Sequence, residues 1–162
     1  MILELKFLRN LRFNNSLKLT GWTIWVLEKI YGTKTLDFKL ERLRALENGT
    51  VGREVAEMLD LNGYRLIPKF ENHDLKHIVL GYAMTMQDEI KMQAYWVGNG
   101  NTTLPCLIFL SLGIFYPKIW GQLGAEYIQG KKTNSIHFLT LDNCMHKSLA
   151  EIQNEYGRNV YR

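Results

Sequence analysis

Cysteine is scarce in this chain of 162 residues. It contains two, Cys106 and Cys144, and they form no Cys-x-x-Cys motif. Two isolated cysteines exclude a scaffold built on disulfides and are typical of a reduced, intracellular protein. Cys106 lies in an apolar stretch, where a cysteine usually packs as a small core residue, so we do not predict it to bind a metal.

Long apolar runs are also missing. The most apolar stretch, residues 104–116, has 13 residues, whereas a membrane-spanning helix needs about 20. We predict a buried core helix here, or a helix lying in a hydrophobic groove. Charged residues interrupt the first 15 residues, which excludes a secretory signal. We therefore expect a cytoplasmic protein without a transmembrane helix, in peripheral contact with the inner face of the membrane.

The charge is mild. The net charge is +4, and the sequence contains no block of like charge. Together with the absence of a nucleic-acid-binding motif, this argues against nucleic acid as a partner. A small positive excess favours an anionic membrane surface or an acidic substrate.

No stretch alternates polar and apolar residues as a strand would, and there is no internal repeat or long linker. Instead, apolar residues recur at helical spacing, as in the series Leu36, Leu40, Leu43 and Leu46. The pattern predicts an all-α protein: one domain over residues 1–162, a bundle of about seven helices, with residues 1–18 as a candidate N-terminal arm. The predicted helices include residues 20–31 and a last helix over residues 141–156.

The chemically distinctive stretch is His73-Asp74-x-x-His77, followed after eleven residues by Glu89. On a helix, the two histidines lie about 40° apart around the axis, and Asp74 lies about 100° from His73. Three groups that bind metals therefore share one side of one helical turn.

Glu89 is too far along the chain to belong to that turn, but a helical hairpin would return it. We predict one helix through about Ala83, weakened by Gly81, and a second from Asp88 to about Trp96. Thr85 with Asp88 three residues later fits a capping box. On the second helix, Gln93 and Trp96 continue the face that begins with Glu89.

Two imidazoles with one or two carboxylates suit Zn²⁺, or a non-haem Fe(II) site of the two-His-one-carboxylate type. The alternative is a pair of surface histidines beside solvated acids. The chain has only four histidines, and an acid follows His73 directly. We therefore predict a divalent metal site.

The spaced motif resembles the signature of the coenzyme Q (ubiquinone) biosynthesis protein four family. The segment Gly49-Thr50-Val51-Gly52-Arg53 and the pair Gly81-Tyr82 resemble further segments of that family. The resemblance covers residues 35–156. It implies that His73, Asp74, His77 and Glu89 are metal ligands, usually of zinc, and that they act in catalysis through the metal.

The resemblance also implies partners and an activity. Members of that family are all-helical, form dimers, and associate with membrane lipid and with other quinone-synthesis proteins. They are linked to oxidative removal of the carboxyl group from the ring of a prenylated precursor. The expected function is therefore a metal-dependent oxidative decarboxylase that binds a prenylated hydroxybenzoate or another isoprenoid lipid, as a homodimer.

The residue types are also compatible with two other functions. One is a non-catalytic lipid-binding scaffold for quinone-synthesis enzymes, in which the metal is structural. The other is a metal-dependent hydrolase, by analogy with His-Glu-x-x-His enzymes. A metal with an open coordination position is typical of a catalytic site, whereas a metal held by four protein ligands is typical of a structural site.

Overall fold

The computed structural model describes residues 28–157. Residues 28–31 are helical, and eight further α-helices follow, with no strand in the described range. This confirms the all-α prediction. The predicted arm over residues 1–18, and all but the end of the predicted helix at 20–31, lie outside the described residues. The helices are α1 (Lys34–Arg44), α2 (Val51–Leu61), α3 (Glu71–Leu80), α4 (Met86–Gly98), α5 (Leu104–Ser111), α6 (Trp120–Lys132), α7 (Leu141–Cys144) and α8 (Leu149–Tyr156), with 3-10 turns at Leu112–Phe115 and Pro117–Ile119 between α5 and α6.

The main core lies among α1, α2, α3, α4, α7 and α8. Helix α2 packs against α1 and α3, α7 contacts both α2 and α3, and α8 returns against α3. The apolar series predicted from sequence supplies the α1 contribution, since Leu40 and Leu43 are buried. Other members of the core are Val55, Leu59, Leu75, Val79, Met92, Tyr95, Leu141 and Ile152.

Helices α5 and α6 form a second layer that packs mainly against α4. The backbones of α4 and α6 nearly touch. A Cβ added to Gly98 would lie 2.0 Å from the Tyr127 carbonyl oxygen, and one added to Gly130 would lie 2.0 Å from the Tyr95 carbonyl oxygen. Asn99 bridges the crossing, because its amide donates to the Gly130 carbonyl at 3.0 Å. This contact fixes α4, which carries Glu89, against its neighbour.

The predicted last helix, residues 141–156, is wrong as one element, because it divides into α7 and α8. The break receives hydrogen bonds from the start of α2: the Val51 and Gly52 amides donate to the carbonyls of Lys147 and Met145, both at 3.0 Å. The first amides of a helix have no partner within it. The non-helical segment between α7 and α8 satisfies two of them, which outweighs the local helical pattern.

Residues 104–116 do not form the predicted buried helix. They form α5 and a 3-10 turn, and most of their large side chains are exposed: Ile108 is 53% exposed and Ile114 is 67% exposed. Cys106 and Gly113 make up the buried row. Since α5 is apolar on every side, burying one row against α4 necessarily leaves the other rows outside.

Among residues 28–157, no single helix has both the length and the apolar content to span a membrane. The segments Leu104–Phe115 and Pro117–Lys132 meet the criterion only together, and they are bent by 106°.

Candidate metal centre

Helix α3 presents the two histidines and ends at Leu80, earlier than the predicted Ala83. The reason is Gly81, which takes a left-handed conformation with φ 68°. The Tyr82 amide then donates to the His77 carbonyl at 3.0 Å. Glycine adopts this conformation without the strain that a Cβ causes. Gly81 therefore ends the helix, whereas the sequence pattern places it within the helix as a destabilising residue.

The second helix begins at Met86, two residues before the predicted Asp88. The predicted cap at Thr85 is confirmed, because the Asp88 amide donates to the Thr85 hydroxyl oxygen at 3.2 Å. The short turn between Gly81 and Thr85 reverses the chain. It brings the first turn of α4 opposite the middle of α3.

The structure brings together His73, His77 and Glu89. The Glu89 carboxylate lies between the two rings: one oxygen is 3.1 Å from His73 Nε2, and the other is 3.2 Å from His77 Nε2. One ligand atom from each residue lies within 4.8 Å of the others. His77 is buried, whereas His73 and Glu89 keep partial exposure. The predicted hairpin therefore brings together three of the four predicted ligands.

Asp74 does not join this group of three. Its carboxylate lies 3.8 Å from Nδ1 of His73, the ring nitrogen that faces away from Glu89, and the residue is buried. A carboxylate behind a histidine orients the ring and strengthens the opposite nitrogen as a ligand. The geometry thus gives Asp74 a supporting position, and its predicted role as a direct ligand stays a prediction.

The His77 ring is also held at the nitrogen that faces away from Glu89. Its Nδ1 lies 3.1 Å from the Tyr82 carbonyl oxygen. A carbonyl only accepts hydrogen bonds, so Nδ1 carries a proton, and Nε2 is the nitrogen that faces Glu89 and would bind a metal. The sequence motif does not reveal this contact, which depends on the turn at Gly81.

The group is strongly coupled electrostatically. Burial disfavours the charged imidazolium of His73, but the nearby carboxylates of Asp74 and Glu89 outweigh burial and raise its pKa to about 9. Burial likewise opposes ionisation of Glu89, yet hydrogen bonds from His73 and His77 hold its pKa well below the usual range. A buried carboxylate thus stays ionised between two imidazoles, which is the charge state that a cation requires.

The residues fit a divalent metal. Once a metal displaces their protons, two imidazole nitrogens together with one carboxylate are the His₂Glu set of catalytic zinc sites and the two-His-one-carboxylate set of non-haem iron sites. Three protein ligands leave at least one coordination position for another molecule. Zinc and iron(II) both bind to this donor set.

Cys106 lies near this group without joining it. It is buried, and its thiol donates to the Gln93 carbonyl at 3.7 Å. Burial, together with the charge of Glu89, raises the pKa of Cys106 to about 11. The thiol is therefore protonated at neutral pH, in agreement with the predicted packing role.

The segment from Gly49 to Arg53 is structural. The Thr50 hydroxyl caps α2 by accepting from the Arg53 amide. A Cβ at Gly52 would lie 2.6 Å from Leu46. The Arg53 guanidinium donates to the Arg44 carbonyl and, at 2.6 Å, to Glu57. These contacts join the start of α2 to the end of α1.

No protein-family model matches this chain, and no curated protein matches it. Its fold is similar to a crystal structure from Nostoc punctiforme, described as a putative ubiquinone biosynthesis protein. The two share 21% sequence identity with a TM-score of 0.54, and the match covers 86% of this chain and 81% of the other. This chain therefore has the same kind of all-helical fold as that protein.

Proposed function

We propose that this protein binds one divalent metal through His73, His77 and Glu89 and acts on a prenylated hydroxybenzoate, replacing the ring carboxyl group by a hydroxyl group. The carboxyl group leaves as carbon dioxide, water supplies the hydroxyl oxygen, and dioxygen takes up the two electrons as hydrogen peroxide. The convergence of these three ligand atoms within 4.8 Å carries the proposal. The similarity in fold to the Nostoc punctiforme protein supports it, as does the spaced motif.

Each residue of the site has its own role in this proposal. His73 and His77 supply the metal-binding nitrogens, and Glu89 supplies the negative charge. Asp74 and the Tyr82 carbonyl hold the two rings by their opposite nitrogens. A divalent metal bound there supplies a Lewis acid that polarises an oxygen of the substrate.

An isoprenoid tail needs an apolar surface near this centre. An open apolar groove of about 600 Å³ lies between α4, the end of α5 and α6, lined in part by Leu110, Trp120, Leu123 and Tyr127. Ala94 also lines the groove, and it follows Gln93 directly in α4. The groove and the metal ligands thus lie on different faces of the same helix, and we propose the groove as the tail site.

The proposed reaction is tested on purified protein by metal analysis, by mass spectrometry of bound lipid, and by turnover of a carboxylated prenyl-phenol under oxygen. We expect about one metal per chain, a co-purified isoprenoid, and loss of carbon dioxide only when metal and oxygen are both present. Tight metal binding and bound lipid without any turnover would instead support the scaffold alternative.

We also propose that the protein is a homodimer, with the outer face of α5 covered by a second copy. Leu104 is 70% exposed and Ile108 is 53% exposed on this face, and burial of such side chains drives association. Light scattering should give a dimer for the wild type and a monomer for Ile108→Glu. A monomer for the wild type at all concentrations would contradict the proposal.

A further inference from the structure

Three polar groups beside the metal ligands have no role so far. The Lys76 ammonium lies over the Trp96 ring, 4.7 Å from its centroid. The Trp96 indole N–H and the Gln93 side-chain oxygen are both buried, and neither has a hydrogen-bond partner in the described part of the chain. Buried polar atoms are usually paired. These two atoms therefore need a partner from outside the chain, either water or a polar group of a ligand.

These groups belong to the same locality as the metal site. The Trp96 ring packs edge-on against His73, with 5.7 Å between the ring centroids. The Gln93 amide nitrogen donates to Glu89 at 2.5 Å. This donation also fixes the orientation of the amide, because the oxygen cannot face a carboxylate. Since Glu89, Gln93 and Trp96 are spaced by four and three residues, they share one face of α4.

Among the residues that the structure describes, Lys76 is not one of the lysines whose charge is neutralised by a carboxylate within the fold. Lys39 pairs with Asp142 at 2.6 Å, and Lys91 pairs with Asp88. Within residues 28–157, Lys76 has no such carboxylate partner. It follows His73 by three residues, so the two side chains are neighbours on the surface of α3. A half-buried cation without an anion is costly, and an anionic ligand would neutralise it.

We propose that Lys76 and the Trp96 indole N–H bind an oxyanion, a carboxylate or a phosphate, on a ligand that reaches the metal, and that Gln93 accepts a hydrogen bond from a hydroxyl group of that ligand. Ammonium and indole groups only donate, and the free amide oxygen only accepts. The subsite rests on the proposed function, because the adjacent metal ligands define where the remainder of the ligand lies. It makes Lys76 a specificity-determining residue.

The test is isothermal titration of the full-length protein, with and without Zn²⁺. Three probes are used: 4-hydroxybenzoate, phenyl phosphate, and the neutral 4-hydroxybenzyl alcohol. Loss of a charge-assisted hydrogen bond should weaken binding of the preferred anion to Lys76→Met by about ten- to hundredfold. Lys76→Arg should restore most of the affinity, and the neutral alcohol should be indifferent to both changes. The tighter of the two anions identifies the oxyanion.

Lys91→Met is the matched control, since it removes a lysine from another face of α4. Its anion affinity should equal that of the wild type, and all variants should keep the same zinc content and melting temperature. Equal anion affinity in Lys76→Met and the wild type, or no binding of either anion by the wild type, overturns the subsite. Failure of the wild type to bind any divalent metal refutes the proposed function instead, and the zinc-free titrations still decide the subsite.

Discussion

Replacing His77 by Ala is expected to abolish stoichiometric metal binding while the helical fold survives. The His77 ring is buried and holds one end of the Glu89 carboxylate at 3.2 Å. Without it, one imidazole and one carboxylate remain in the group, which cannot hold a divalent metal tightly. Turnover of the quinone precursor should disappear together with the metal.

The fold should tolerate this change, because His77 contributes one side chain to a domain with an extensive apolar core. Removal of the ring deletes its hydrogen bond with the Tyr82 carbonyl, at a cost of about 1–3 kcal/mol. For a domain of this size, this lowers the melting temperature by several degrees. A structural metal would behave differently, since its binding energy is folding energy, and losing it would collapse the protein.

The measurement combines metal content, melting temperature and product formation on one variant. His146→Ala is the control, because His146 is exposed and lies outside the metal group. It should keep metal, stability and activity. Metal loss with full activity in His77→Ala would reject the catalytic role. Metal loss with unfolding would favour the scaffold.

Replacing Gly130 by Ala should strongly destabilise the protein. The new Cβ would lie 2.0 Å from the Tyr95 carbonyl oxygen. That atom belongs to the backbone of α4 and cannot rotate away, so α4 and α6 must separate. Separation weakens the hydrogen bond from Asn99 to the Gly130 carbonyl and the 2.6 Å contact between the Tyr95 and Thr133 hydroxyls. We expect a loss of about 3 kcal/mol in the free energy of unfolding, at the upper end for overpacking.

Gly124→Ala provides the matched control in the same helix. A Cβ at Gly124 would meet nothing within 4 Å. Because alanine is the better helix former, this variant should be more stable by up to about 1 kcal/mol. Urea denaturation of the three proteins measures the difference. If Gly130→Ala unfolded at the same urea concentration as the wild type, the close backbone contact between α4 and α6 would be wrong.

Local sequence determined much of the candidate site. The spacing of His73 and His77 places both rings on one face of α3, since helix geometry repeats every 3.6 residues. The capping signal at Thr85 marks the start of α4, and Gly81 marks the end of α3. These features depend on neighbours within four residues. The pattern of the nearby sequence therefore predicts them, to within two or three residues at the helix ends.

Only the tertiary structure decided which helix faces contact one another. Asp74 lies on the same turn as His73, yet its carboxylate stands behind the ring rather than beside Glu89. The periodic pattern of residues 141–156 breaks because amides at the start of α2 bind carbonyls between α7 and α8. The exposure of α5 likewise depends on how it packs against α4. The close approach of Gly98 to α6, and of Gly130 to α4, depends on packing between two helices that are distant in sequence. A helix pattern specifies which residues share a face, but long-range packing and hydrogen bonding select what that face contacts.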